Sequence, residues 1–279
     1  MRARQFAQVD VFTAVPYLGN PVAVVVEGDG LTDDEMAAFA RWTNLSETTF
    51  LTAATTAEAD YRLRIFTPGG ELPFAGHPTL GSASAWLAAG GAPRTPGVLV
   101  QECGVGLVTI RQDDAGRLAF AAPPLRRSGP AESEVRAHVA ASLRLPDDAI
   151  LDCAWVDNGP GWVAARLADG AAVLAVEPDL ALMGDQPVGV VGLWGPDRDA
   201  DAEVRAFVPG IGIPEDPVTG SLNAGLAQWL IPAGVLPDSY VAAQGAALRR
   251  AGRVRVDRVG GDIWIGGDTV TCIAGTVNL

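Results

Sequence analysis

The sequence predicts an α+β fold made of two related lobes, and three observations lead there. The first is a recurrence. Arg64-Ile65-Phe66-Thr67-Pro68-Gly69 aligns with Arg205-Ala206-Phe207-Val208-Pro209-Gly210. The segments that follow fall into step as His77-Pro78-Thr79-Leu80-Gly81-Ser82 and Asp216-Pro217-Val218-Thr219-Gly220-Ser221, and both copies run into an apolar helical stretch. Two halves that each present a turn and a helix N-terminus are a natural way to build one site where domains meet. The second observation is periodicity: most of the chain reads as short, half-buried strands with one or two helices per half, unlike a parallel nucleotide-binding sheet. The third is Pro123-Pro124, which interrupts regular structure and puts a lobe boundary near residue 118. A chain of 279 residues is comfortable for two such lobes.

Taken in order, Gln8-Val9-Asp10-Val11-Phe12 and Pro21-Val22-Ala23-Val24-Val25-Val26 form a hairpin across a moderately long loop. Thr32-Asp33-Asp34-Glu35 is a capping box and starts a helix over 33–42. Glu47 follows where Asn44-Leu45-Ser46-Glu47 passes from loop to strand. Tyr61-Arg62-Leu63-Arg64-Ile65-Phe66 alternates as a strand, and residues 98–101 and 106–111 pair as a hairpin. Its Gly104-Val105-Gly106 lacks the third glycine and ensuing helix of a dinucleotide fingerprint. Residues 131–143 are helical and carry His138. Two strands then flank Asp157-Asn158-Gly159-Pro160-Gly161, whose Asn-Gly pair predicts a tight turn with positive φ. Strands at 188–193 and 204–208 precede the second copy of the repeat, and three alternating segments, 253–257, 262–267 and 269–277, read as an antiparallel meander.

Composition excludes several functions. A formal net charge of −13 argues against nucleic acid, since a polyanion partner needs a basic surface. No apolar run approaches the length needed to span a membrane, and residues 1–12 have no uninterrupted apolar core, so the expected location is the cytoplasm. All 20 basic residues are arginine, which rules out a lysine Schiff base or a phosphate-binding lysine. Cys103, Cys153 and Cys272 are far apart, and His77 and His138 lack metal-site spacing. Neither a structural metal nor a disulfide framework is expected.

Four motifs in order, with the hairpin residues 8–12 and Gly19-Asn20-Pro21, then Asn44-Leu45-Ser46-Glu47-Thr48, Phe74-Ala75-Gly76-His77-Pro78-Thr79 and Asp216-Pro217-Val218-Thr219-Gly220-Ser221, resemble the PhzF-like isomerases of phenazine biosynthesis. The resemblance runs nearly end to end. It implies a diaminopimelate-epimerase-like fold in which each pseudo-symmetric lobe wraps a curved, mostly antiparallel sheet around a central helix. It also implies lobes of 1–118 plus about 267–279 and of 119–266, an active site in the cleft between them, and a homodimer. Cysteine-dependent epimerases of this fold carry a thiol in each turn. Here the turns hold Ala75-Gly76-His77 and Glu215-Asp216, which disfavours a two-thiol racemase.

By that resemblance Glu47 is the catalytic carboxylate, while His77 and Asp216, placed at equivalent repeat positions, face the substrate. A partly desolvated carboxylate can act as both base and acid, so one residue can remove a proton and return it elsewhere. Gly76, Gly220 and Ser221 sit at helix N-termini, whose free backbone N–H groups bind a carboxylate. The expectation is a cofactor-independent isomerase that shifts a proton and a double bond on a small unsaturated amino or hydroxy acid. Natural-product or antibiotic biosynthesis is its expected setting. An epimerase of a small amino acid and a non-catalytic small-acid binder are the alternatives.

Overall fold

The structure is a computed structural model that describes residues 1–279, the side chain of Ile211 excepted. It divides into two compact units, Met1–Ala121 with Gly266–Leu279, and Ala122–Ile265.

The first unit runs β1 (Ala3–Val11), β2 (Asn20–Val25), α1 (Asp33–Thr43), β3 (Thr48–Thr52), β4 (Tyr61–Thr67), β5 (Gly70–Leu72), α2 (Gly76–Ala88), β6 (Val98–Cys103), β7 (Gly106–Gln112) and β8 (Leu118–Ala121). Thr269–Asn278, read from its alternation as part of a C-terminal meander and placed in the first lobe by the resemblance, pairs antiparallel with β1 from Ala3↔Asn278 to Val11↔Thr269. From this C-terminal strand the sheet continues through β1, β2, β3, β4, β6, β7 and β8. The β2–β3 and β4–β6 pairs are parallel and the others antiparallel. The parallel β2–β3 step needs a crossover, which α1 supplies. Its capping box is formed: Glu35 N–H donates to the Thr32 hydroxyl and Thr32 N–H donates to the Glu35 carboxylate. Asn44, at φ 54, ends the helix in the left-handed conformation.

Helix α2 packs against β1, β2, β3, β4, β8 and the C-terminal strand, so the sheet wraps around it. Its sequence suits that place. Gly76, Thr79, Gly81, Ser82, Ala83 and Ala85 are all buried and small, which lets strands close in from several directions. A Cβ on Gly81 would stand 2.3 Å from a methyl of Val22, so only glycine allows β2 this near.

The second unit runs β9 (Arg127–Pro130), α3 (Ser133–Ser142), β10 (Asp152–Asp157), β11 (Val163–Arg166), α4 (Gly170–Leu174), α5 (Leu180–Met183), β12 (Val188–Leu193), β13 (Ala202–Val208), β14 (Ile213–Asp216), α6 (Gly220–Leu230), β15 (Ser239–Gln244), β16 (Gly252–Val259) and β17 (Asp262–Gly267), the last two residues of β17 belonging to the first unit. Its ladders repeat the first unit's. β10–β11 is antiparallel, β11–β12 parallel, β12–β13 antiparallel, β13–β15 parallel and β15–β16 antiparallel. A buried helix, α6, again follows the short strand, and Gly225 plays the part of Gly81: an added Cβ would meet the Val156 carbonyl at 2.3 Å.

Two details differ from expectation. Asn158-Gly159 does not make a two-residue turn. The loop is longer, with Gly159 at φ 146 and Gly161 at φ 90, and the Asp157 carboxylate accepts from both of their N–H groups at 2.7 Å. The repeat register also shifts after the first six residues. In the first unit Arg64 forms a two-pronged pair with Glu71, at 2.8 and 2.7 Å, and in the second Arg205 does so with Glu215, at 2.9 Å for each prong. Helix α2 begins five residues after Glu71 and α6 five after Glu215. The equivalent of His77 is therefore Ser221, and Asp216 lies upstream at the end of β14. A longer connection between β13 and β14 than between β4 and β5 absorbs the difference.

The two Arg–Glu forks should respond differently to truncation. Arg205 and Glu215 are both buried, and Arg205 also donates to the carbonyls of Val173 and Val176. Glu215→Ala should cost about 3–5 kcal/mol by leaving a guanidinium buried without its counter-charge. Glu71→Ala, at the more exposed fork, should cost about 1 kcal/mol or less, with both read from urea unfolding.

Candidate active site

In the first unit the structure brings Glu47, His77 and Gly76 together. Glu47 is the last residue before β3, and its carbonyl accepts from Ala23 N–H on β2. His77 is the second residue of α2. Glu47 Oε2 lies 3.2 Å from His77 Nε2, with only 14% and 6% of the two side chains exposed.

The His77 ring has a defined tautomer. It makes a hydrogen bond with the Pro21 backbone, and proline has only a carbonyl to offer, so the ring must donate. Nε2 faces Glu47, which leaves Nδ1–H as the donor to Pro21. Burial is the dominant effect on this ring and pushes its pKa down to about 3, with the Pro21 bond acting in the opposite direction. The ring is therefore neutral near pH 7 and turns the bare lone pair of Nε2 toward the carboxyl of Glu47. That arrangement suits a carboxylic acid donating its proton to Nε2.

The start of α2 is uncapped. Ala75 occupies the N-cap and has no side chain to offer, whereas Thr32, Asp169 and Asp179 cap α1, α4 and α5 through their side chains. Pro78 has no N–H, so Gly76 and His77 carry the first turn's available donors. Nearby hydroxyls are fixed among themselves: Thr43 Oγ1 and Thr48 Oγ1 are 2.7 Å apart, and Thr49 Oγ1 and Ser82 Oγ are 2.8 Å apart.

In the second unit the structure brings Asp216, Gly220 and Ser221 together. The N-cap of α6 is Thr219, yet its hydroxyl does not cap the helix. It donates to the Asp216 carboxylate at 2.5 Å and accepts from the Gln244 amide at 2.9 Å. Gln244 Oε1 takes the Thr219 N–H and an Asn223 amide hydrogen, each at 3.0 Å. Asp216 is thus held by the network that leaves the helix start open, and it is not itself the N-cap. Ser221 Oγ accepts from the Trp162 indole at 3.0 Å, which leaves the hydroxyl hydrogen free to donate, and Asn158 donates to the Ser221 carbonyl at 2.8 Å.

Sequence reasoning missed Pro21, Trp162, Thr219, Asn223 and Gln244 as supports, because each acts through a contact distant in sequence. A polar Gln at the end of the otherwise apolar run Val241-Ala242-Ala243-Gln244 was the one available signal. The Trp194 indole donates to buried Glu203 at 3.1 Å. Among the described residues no cluster of three or more His, Cys, Asp and Glu side chains is arranged to hold a metal, the three cysteines are unpaired as disulfides, and no helix is long and apolar enough to cross a membrane.

The arrangement has relatives. A family model described as phenazine biosynthesis-like protein matches residues 9–275. The chain is 35% identical over 294 residues to antisense-enhancing sequence 1 of Schizosaccharomyces pombe, spanning 99% of each protein. It is 36% identical over 231 residues to the trans-2,3-dihydro-3-hydroxyanthranilate isomerase of Pseudomonas aeruginosa, spanning 80% of this chain and 78% of the relative. Among solved structures, a PhzF-family protein of Enterococcus faecalis matches with a TM-score of 0.82 at 25% identity over the whole of both chains. With the fold and nearly the full length matched, the chain belongs to the phenazine-biosynthesis-like PhzC-PhzF family.

Proposed function

We propose that the protein is a cofactor-independent isomerase that moves a proton, and with it a double bond, on a small unsaturated cyclic amino or hydroxy acid, with Glu47 as the acid and base. The observation that carries this reading is the 3.2 Å contact between Glu47 Oε2 and His77 Nε2 at the uncapped N-terminus of a buried helix. A substrate carboxylate is bound by the free N–H groups of a helix start, in a field that favours negative charge despite the chain's net −13. Glu47 in its ionised form takes a proton from an activated C–H, and as the acid it returns that proton to another carbon of the same delocalised system. The neutral ring of His77 accepts a hydrogen bond from the acid form, which holds the carboxyl in one orientation between the two transfers. The relative named as a dihydro-hydroxyanthranilate isomerase supports an unsaturated cyclic amino acid as the substrate class.

The deciding experiment incubates wild type and Glu47→Gln in D₂O with trans-2,3-dihydro-3-hydroxyanthranilate and related cyclic dienyl amino acids. NMR follows deuterium incorporation and absorbance follows the double bond. Wild type should incorporate deuterium with a moved double bond. Glu47→Gln, matched in size but unable to exchange a proton, should be slower by about a thousandfold or more. Incorporation without bond movement would instead assign an epimerase, and binding without exchange a non-catalytic role.

His77 makes a separate prediction for stability against pH. Its folded pKa, about 3, lies below the ordinary value of 6.5, so between those values the unfolded chain binds the proton and the folded chain does not. The stability contributed by the neutral ring is complete above pH 6.5 and is lost as pH falls toward 3. Its slope reaches about 1.4 kcal/mol per pH unit. His77→Asn should lack this component in urea unfolding across the window, and the His77 ring carbons should stay at neutral-form NMR shifts down to about pH 4.

A further inference from the structure

One buried network in the second unit has a direction that the backbone fixes. Gln244, the last residue of β15, is buried. Its Oε1 accepts from the Thr219 backbone N–H and from the Asn223 amide, each at 3.0 Å, while its Nε2 donates to the Asp216 carbonyl at 3.1 Å and to Thr219 Oγ1 at 2.9 Å. A backbone N–H can only donate and a carbonyl can only accept, so both ends of the Gln244 amide are assigned. The Thr219 hydroxyl therefore takes a hydrogen from Gln244. Among the described residues its only other partner is Asp216 Oδ2 at 2.5 Å, which receives the hydroxyl's own hydrogen. A proton on Oδ2 would strand that hydrogen in a buried place.

The scaffold does not require an amide at this place. In the first unit β4 pairs parallel with β6, Tyr61↔Gln101, as β13 pairs with β15, Ala202↔Ala242. With Arg64 matching Arg205, the position that corresponds to Gln244 is Cys103, whose thiol turns to the Gly106 carbonyl of its own hairpin at 3.6 Å. The buried glutamine of that strand, Gln101, donates instead to Thr79 within α2. An equivalent helix is thus enclosed by an equivalent sheet with no amide where Gln244 stands. What sets the second unit apart at this point is Asp216 beside the helix start.

We propose that Gln244 is a positioning residue for Asp216: the chain from Gln244 Nε2–H through the Thr219 hydroxyl to Asp216 Oδ2 holds the carboxylate in one orientation and commits Oδ2 as an acceptor. Successive hydrogen bonds of this kind polarise one another, so loss of the amide weakens the Thr219–Asp216 contact as well. The consequence for turnover rests on the isomerase reading above. On that reading Asp216 holds an amino or hydroxyl hydrogen of the substrate and delivers no proton from Oδ2. Glu47 is then the single acid and base, unlike the pair of proton carriers that a two-base epimerase needs.

Carbon-13 NMR of protein labelled at the aspartate carboxyls tests the chain without any substrate. In an equal mixture of H₂O and D₂O, wild type should show the Asp216 carboxyl signal split by hydrogen or deuterium on the Thr219 hydroxyl. Gln244→Met should collapse the splitting, because the released hydroxyl rotates and exchanges with water. Thr219→Val keeps the side chain's shape and Gln244's bonds to the backbone, so it tests the chain even where Gln244→Met disturbs the fold, which circular dichroism checks. With the same dihydro-hydroxyanthranilate, Gln244→Met and Thr219→Val should each lower kcat by about tenfold or more with a smaller change in KM, and Thr219→Ser, which restores the hydroxyl, should recover most of that loss. No splitting in wild type, a splitting that persists in a folded Gln244→Met, or a Thr219→Ser rate no better than that of Thr219→Val overturns the proposal. A wild type that shows the splitting but turns over no substrate sinks the isomerase reading alone.

Discussion

Burying a helix on every side is the constraint from which most of this structure follows. Strands can close on an enclosed helix only where its side chains are small, so much of α2's buried surface is glycine, alanine, serine and threonine, and Gly81 sits where even a methyl would strike Val22. Enclosure also sets the character of the helix start. With Ala75 at the N-cap, the first N–H groups of α2 are left for something other than the chain, in surroundings dry enough to keep His77 neutral. The same packing that stabilises the core therefore leaves an uncapped helix start beside the buried Glu47–His77 pair.

The second unit reaches a comparable helix start by other means. There Thr219 is a residue type that normally caps, but Asp216 and Gln244 occupy its hydroxyl. Trp162 fixes Ser221 as an acceptor and so leaves its hydrogen as a donor. The repeat has kept the topology, the Arg–Glu fork and the close-approach glycine, while the second helical position differs, an imidazole in one unit and a hydroxyl in the other. Such divergence at one position inside a common frame is how a duplicated scaffold acquires unlike functional groups without refolding.

Much of this was legible in the residues. Strand alternation, the Thr32–Glu35 capping box and the recurrence of Arg-x-Phe-x-Pro-Gly carry local physics, and local physics is what a sequence states directly. Glu47 and His77 became candidates through the motifs the chain shares with a family, and Gly76, Gly220 and Ser221 through their places at helix starts. Contacts across the sheet had no such signature. Nothing near Pro21 announces that its carbonyl orients an imidazole 56 residues further on, and nothing near Trp162 announces that its indole holds Ser221.

By itself the sequence determined the α+β class and the duplicated plan, because these depend on periodicity, capping and residue chemistry over short spans, while the acid and base candidates came from motifs shared with a family. Only the tertiary structure decided the register of the repeat, pairing His77 with Ser221 and not with Asp216. A few extra residues in one connection move every later position, and only the Arg–Glu forks and helix starts reveal where the frame resumes. Tertiary packing also decided that the last strand joins β1, and that the imidazole of His77 is neutral with Nε2 toward Glu47. Strand partners and desolvation are set by which distant segments pack together, and that information resides in no single stretch of chain.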